Sequence, residues 1–315
     1  MWILITIILI LIALILLISY ICFRMAFYAP DRKPADPDRI EFPEGEIYVP
    51  YYDAMRRWTE QTRQLPQKQF TITSFDGLKL TGRYYEYAPG APIELMFHGY
   101  RGSAERDLSG GVFRCRKLRR SALLVDQRCS ETSEGNVITF GIREHKDCLA
   151  WVDFMVDHFG PDVKIILTGI SMGAATVMLA GGEELPPNVV GILADCGFCS
   201  AKEIMCDVIK NMGIPPALGY PFVRLGALLY GHFDPEETDA VQAMKRCKVP
   251  VIFFHGTNDD FVPSWMSEKC YEACVSRKKL VLIPGAGHGL SYPVDPEGYI
   301  RELGDFFGPE ASWQE

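Results

Sequence analysis

The chain opens on an unbroken apolar run, Trp2 to Phe23, "WILITIILILIALILLISYICF", with no charge, glycine or proline. As a helix, a run of this length spans a bilayer. The next stretch, "APDRKPADPDRIEFPEG", mixes proline and acid with no period and reads as an extended spacer. Tyr51 to Gln64 has helical character. Phe70 to Thr73 and Leu78 to Tyr85 then alternate around Asp76-Gly77, the signature of a β-hairpin.

Beyond residue 90 the pattern becomes one of short continuous apolar runs separated by longer amphipathic segments. The runs are "IELMF" (93–97), "ALLVD" (122–126), "VKIIL" (163–167), "VVGILAD" (189–195), "VPVIFF" (249–254) and "KLVLIP" (279–284). Such runs suit parallel strands buried on both faces. Helical patterns lie between them at Gly141 to Phe159, Met172 to Ala180, Ser264 to Val275 and Asp295 to Phe307. Strand and helix in alternation predict an α/β fold with a mostly parallel central sheet flanked by helices.

The interval from Asp195 to Val249 is too long for a simple crossover and carries apolar helices, so it reads as a small helical cap over a site. The predicted organisation is a transmembrane anchor over 1–23, a spacer and N-terminal helix over 24–67, and a main domain over 68–315 with its cap at about 197–247. Apolar cap residues Met205, Ile209, Met212, Leu225, Leu228 and Leu229 point to a partly hydrophobic substrate group.

Composition adds a few constraints. A net charge of −8 and the absence of a Lys/Arg-rich run or zinc-finger spacing argue against a nucleic-acid partner. The apolar N-terminal run is too long for a signal-peptide core, has no basic residue before it and no small-residue cleavage site after it, so it reads as an uncleaved anchor. Arg24, Arg32, Lys33 and Arg39 follow it, and the positive-inside rule then puts the main domain in the cytoplasm as a single-pass protein. Ten cysteines suit that reducing compartment as free thiols. Cys196-x-x-Cys199 has no second pair and no matching histidine spacing, so no metal site is expected.

Candidate chemistry centres on "KIILTGISMGAAT". Gly169-Ile170-Ser171-Met172-Gly173 is a Gly-x-Ser-x-Gly string, short enough to occur by chance, but it sits between a buried strand and a helix opening on small residues. That context makes a sharp elbow with the Ser171 hydroxyl at a helix N-terminus. A serine hydroxyl needs a base to take its proton and a third group to orient the base. In the order serine, acid, histidine, Asp259 in "FFHGTNDDFVP" and His288 in "IPGAGHGLSYP" both follow strand ends, where an open α/β sheet gathers its site. Asp260 and Asp195 stand as alternative acids, and His98 and His255, ending strands, as loop-orienting histidines. Oxyanion donors are expected from the backbone N–H groups of Met172 and, in "FHGYRGSAERD", Tyr100.

Taken together, "FHGYRGS", "LLVDQR", "GISMGAAT", "HGTNDDFVP" and "GAGHG" resemble the α/β-hydrolase superfamily in order and spacing, over about residues 68 to 308. More narrowly they are similar to membrane-anchored bacterial hydrolases of the serine aminopeptidase and Bem46-like groups. The resemblance implies Ser171 as nucleophile, Asp259 as acid, His288 as base, and Tyr100 and Met172 as oxyanion donors. It also implies a serine hydrolase of an ester, thioester or amide, carboxylesterase-like, acting on a small-molecule acyl substrate without cofactor or metal. A peptidase or acyltransferase with the same triad, or a non-catalytic anchored scaffold, are the rival readings. Relatives continue the Asp-x-Arg element as Gly-His-Gly-x-Ser, whereas this chain has Cys129-Ser130-Glu131-Thr132-Ser133 after Arg128, which should alter a turn near the oxyanion loop.

Overall fold

The computed structural model describes residues 1–30, 36 and 38–312. Eight strands form one sheet: β1 (Lys68–Thr73), β2 (Lys79–Tyr85), β3 (Ile93–Phe97), β4 (Ser121–Asp126), β5 (Ile165–Ile170), β6 (Val189–Asp195), β7 (Val251–Gly256) and β8 (Lys278–Ile283). Their spatial order is β1-β2-β4-β3-β5-β6-β7-β8. β2 pairs antiparallel with both β1 and β4, and every other pairing is parallel. The hairpin expected around Asp76-Gly77 joins β1 to β2, and β2 is the one strand of the sheet that runs against the others.

The helices are α1 (Trp2–Ala26), α2 (Tyr52–Gln64), α3 (Ala104–Lys117), α4 (Glu144–Phe159), α5 (Met172–Gly181), α6 (Ala201–Asn211), α7 (Pro216–Gly226), α8 (Ala240–Met244), α9 (Trp265–Ala273), α10 (Ser291–Val294) and α11 (Pro296–Phe307). Because side chains alternate across a strand, Leu95, Leu123, Leu167 and Phe253 face one way, onto Trp151 and Met155 of α4, Ala174 of α5 and Met266 of α9. Ile252 and Phe254 face the other way, onto Tyr299, Leu303 and Phe306 of α11. Met96 and Leu124 share that second face with Leu108 and Val112 of α3. Two helical layers thus enclose the sheet; β3 to β7 are buried on both faces as expected, whereas β8, at the sheet edge, is half-buried with Leu282 exposed.

Local differences from the sequence reading have physical causes. β5 begins at Ile165 and runs to Ile170, ending immediately before Ser171. α3 was not expected: its apolar face, Ala104, Leu108, Val112 and Cys115, is sparse, and a Gly-Gly pair interrupts the segment "AERDLSGGVFRCRK". That pair lets the helix sit close under Trp58 and Met96, whose atoms a Cβ at Gly110 or Gly111 would crowd at 2.8 and 2.9 Å.

The 197–247 insertion forms α6, α7, a π turn over Ala227–Gly231, and α8. It packs on the last turns of α1. Met205 and Ile209 are buried with Phe23, Phe27, Tyr220 and Val223, while Met212, Leu228 and Leu229 are exposed. Arg32 and Lys33, counted in the basic flank, lie outside the described residues.

Candidate active site

The sheet order reverses between β3 and β5, since the chain leaves β3 toward β4 and later continues from β5 toward β6. Loops leaving the C-terminal ends of two such strands diverge and open a crevice. Here the two loops are His98 to Ser103 and the turn at Ser171.

Ser171 has φ 55° and ψ −116°, a left-handed conformation that a non-glycine residue adopts only under local constraint. The constraint is close packing. A Cβ on Gly173 would run into the carbonyls of Phe97 and His98, and one on Gly169 into the backbone of Gly173. The two glycines let β5 turn into α5 against β3 and leave Ser171 at the apex. Its own N–H donates to the Asp195 carbonyl at 2.8 Å. Met172 is the first residue of α5, where an N–H has no acceptor within the helix.

His288 Nε2 lies 2.9 Å from Ser171 Oγ, and its Nδ1 lies 2.7 Å from Asp259 Oδ2. With the carboxylate as acceptor, Nδ1 carries the proton and Nε2 faces the hydroxyl. Asp259 Oδ1 accepts from the N–H groups of Phe261 and Val262 at 3.1 and 2.8 Å. Burial pushes the Asp259 carboxyl up, but hydrogen bonds from His255 and His288 and the Val262 N–H outweigh it and hold it down at about 2. Phe261 packs edge-on against the His288 ring at 5.1 Å.

The alternatives fall elsewhere. Asp195 accepts from Ser291 Oγ at 2.7 Å and Tyr299 Oη at 3.0 Å, and burial pushes its carboxyl up. His255 places Nε2 2.7 Å from the Val262 carbonyl and 3.3 Å from Asp259, so it steadies the acid loop. The Gln127 N–H donates to His98 Nε2 at 3.0 Å, leaving Nδ1–H to donate to the Gly99 carbonyl at 2.8 Å. Asp260 lines the cavity beside the Asp259 loop.

Cys196 lies behind the triad-like group. Its Sγ and ligand atoms of Asp259 and His288 fall within 4.8 Å of one another. A metal would need a thiolate, whereas burial pushes the Cys196 thiol up, and Asp259 and His288 already bond each other. The set does not fit a metal centre. Cys199 Sγ instead donates to Glu203 Oε2 at 2.7 Å, so the Cys-x-x-Cys pair points to separate partners.

Residues not singled out from sequence hold the loop after β3. Asp107, on α3, accepts from the Gly99 N–H at 3.0 Å and from Arg106 Nε at 2.7 Å. Gln127 Nε2 donates to the His98 carbonyl at 2.6 Å, and Thr176 of α5 donates to Gln127 Oε1 at 3.2 Å. The unusual turn after Arg128 meets the same loop, with Cys129 at φ 67° and Ser130 Oγ donating to the Gly102 carbonyl at 2.8 Å. Their signal in sequence was only proximity to a motif.

A cavity of about 940 Å³ opens beside Ser171 and His288. No residue of 197–247 lines it. Its walls include Met96, Trp58 and Tyr292, and its cover is the stretch from Arg39 to Tyr48, read from sequence as spacer. This arch is pinned by a stack of Phe42 on Tyr52 at 4.6 Å, by Tyr52 Oη donating to the Pro43 carbonyl at 2.8 Å, and by Arg63 donating to the Arg39 carbonyl at 2.9 Å. Proline and acid gave the arch no period, and aromatic contacts at irregular spacing hold it in place.

An eight-stranded, mostly parallel sheet whose nucleophile-elbow turn, acid loop and histidine loop meet at the strand ends defines an α/β hydrolase. The profile of the prolyl oligopeptidase family matches residues 139–311, and the chain belongs to that family within the superfamily. An uncharacterized Bacillus subtilis protein, YqkD, is 24% identical over 250 residues, 78% of this chain and 81% of its own. The Pyrococcus furiosus esterase Pf2001 shares the fold at a TM-score of 0.64 and 21% identity, covering 88% of this chain and 97% of its own. The acylaminoacyl peptidase of Pyrococcus horikoshii matches at a TM-score of 0.56 and 16% identity, over 81% of this chain and 44% of its own.

Proposed function

We propose that the protein is a serine hydrolase that forms an acyl-enzyme on Ser171, acting as a carboxylesterase on a small amphiphilic acyl substrate. The observation that carries the reading is the relay Ser171–His288–Asp259, with hydrogen-bond distances of 2.9 and 2.7 Å, at the edge of the cavity. His288 takes the Ser171 proton as Oγ attacks the carbonyl carbon, then returns it to the leaving group. It next deprotonates the water that cleaves the acyl-enzyme. Asp259 holds the tautomer and stabilises the imidazolium. The backbone N–H groups of Met172 and Tyr100 stabilise the oxyanion.

The apolar walls Met96, Trp58 and Tyr292 support an ester of an apolar acid. A peptidase is the second reading, favoured by the family match. Membrane anchorage belongs to the same proposal: α1 is long and apolar enough to span, and burial of Ser19, Phe23 and Phe27 in the domain supports its retention over cleavage as a signal.

The test is labelling with a fluorophosphonate probe, followed by turnover of p-nitrophenyl esters of graded length beside aminoacyl amides. Wild type labels and Ser171→Ala does not; labelling of both, or of neither, overturns the nucleophile. Faster amide than ester cleavage selects the peptidase reading.

A further inference from the structure

Residues 1–17 are exposed, and Ser19 is the first residue of α1 buried against the domain. On that contact Gly226 of α7 meets α1 backbone to backbone, since a Cβ there would run into the Ser19 carbonyl. Tyr230, in the π turn, reaches further still and donates from Oη to the Leu16 carbonyl at 3.2 Å. Its ring packs edge-on against Tyr20 at 5.2 Å.

These contacts conflict with a bilayer that ends where the domain begins. The free part of α1, Trp2 to Ile15, measures about 21 Å as a helix, whereas a hydrocarbon core is about 30 Å thick. The shortfall of about 9 Å corresponds to about six more residues of helix. Those residues, Leu16 to Ile21, are the ones flanked by Tyr230 and Gly226. The bilayer that accommodates α1 therefore also accommodates what is packed beside it.

What is packed beside it suits that position. From Met212 to Gly231 the chain holds a single charged side chain, Arg224, which pairs with Asp234 at 2.8 Å. In the same stretch Met212, Ile214, Leu218, Leu228 and Leu229 are all exposed, Leu218 at 66%. Exposed large apolar side chains at this density mark a surface built for an apolar partner. Tyr20 and Tyr230 lie at the depth where aromatic side chains collect at a membrane surface, and Arg24 follows them one turn on.

We propose that Met212 to Gly231 is a membrane-seated element, with its exposed apolar side chains in the acyl-chain boundary beside α1. The proposal rests on the reading of α1 as a membrane span. It replaces the expected role of the insertion as a lid over Ser171. It also brings the cavity to the bilayer surface: Tyr100, which lines the cavity, donates to the Ala26 carbonyl at the end of α1 at 2.8 Å. An acyl substrate dissolved in the bilayer would then reach Ser171 without crossing water.

The full chain, reconstituted in phosphatidylcholine vesicles containing a phosphatidylcholine with a diazirine in its acyl chain, is irradiated, digested and mapped by mass spectrometry. Adducts are expected on residues 2–16 and on 212–231, and none above background at Phe75 and Val275, which are exposed apolar residues elsewhere. A Leu218→Asp, Leu229→Asp double variant is expected to lose most of the 212–231 adducts and to keep those on α1. Adducts on α1 alone overturn the membrane-seated element and leave the anchor standing. Adducts on neither overturn the anchor reading, and the proposal with it. Adducts on 212–231 no more abundant than at Phe75 and Val275 also overturn it.

Discussion

Tyr100 Oη donates to the Ala26 carbonyl at 2.8 Å, which ties the loop after β3 to the last turn of the N-terminal helix. Arg101, next in that loop, donates to the carbonyls of Met25 and Tyr28 at 2.9 and 3.1 Å. The loop that would supply an oxyanion donor is thus positioned partly by the last turn of α1. Tyr100→Phe keeps the backbone N–H and the ring but removes the tie, a loss of about 1 kcal/mol for a neutral hydrogen bond. The expected result is a roughly five-fold lower kcat, the equivalent of that energy, with KM nearly unchanged. Steady-state kinetics on the full chain measure it, and an unchanged kcat would show that the tie does not set the loop.

The relay on Ser171 predicts a non-additive pattern. Ser171→Ala, His288→Ala and Asp259→Asn each remove a member of one unit, so kcat should fall by about 10⁶-fold in the first two and about 10⁴-fold in the third, and the triple variant should be little worse than Ser171→Ala alone. Asp195→Asn, by contrast, leaves one acceptor oxygen for the two hydroxyls of Ser291 and Tyr299. It is expected to lower stability and to leave kcat within about ten-fold of wild type, because its carboxylate does not touch His288. A deeper loss of kcat in Asp195→Asn than in Asp259→Asn would reassign the acid.

Asp259 also carries a pH signature. Its carboxyl is held at about 2, below the ordinary 3.8, so the folded state favours the ionised form. The stabilisation is fully present above about pH 4 and is lost as pH falls through about 2, a contribution of about 2 kcal/mol. Urea unfolding of wild type and Asp259→Asn at pH steps from 7 to 2 should give a stability difference that is flat down to about pH 4 and shrinks below it. A difference that already shrinks between pH 7 and 5 would mean that Asp259 is not the depressed carboxyl.

Much of this arrangement was legible in the sequence, and the reasons differ by element. Buried strands announce themselves through continuous apolar runs, and Gly169 and Gly173 mark Ser171 because the backbone approach they permit is needed within the turn itself. Asp259 and His288 are legible because chain order and strand ends constrain them. Partnership between distant surfaces is not encoded so locally. The apolar stripe of the 197–247 insertion says that it must be covered, and the structure supplies α1 as the cover where the sequence suggested the site. The stretch from Arg39 to Tyr48 showed no period because Phe42 and Tyr48 meet their partners singly. Asp107 and Gln127 were missed because their work is done on backbone groups of another loop.

The arch yields the last prediction. Tyr48 lines the cavity, and burial, helped by the nearby Asp259 carboxylate, pushes its phenol up. Ile47, beside it, would meet a Cβ on Gly287 at 3.1 Å, so this turn covers the loop that carries His288. If the arch forms the wall on which an acyl chain lies, Tyr48→Ala removes apolar contact from long substrates and almost none from an acetyl group. Burial of a side chain of that kind is worth about 1.5–3 kcal/mol, so kcat/KM for a p-nitrophenyl octanoate should fall by about 10-fold or more. The acetate ester should change by no more than about two-fold, because its acyl group ends before the wall and the relay is untouched. An equal loss on both esters would place the effect of Tyr48 on the His288 loop, and a loss on neither would mean that the acyl chain runs away from the arch, toward Trp58 and Met96 at the opposite wall.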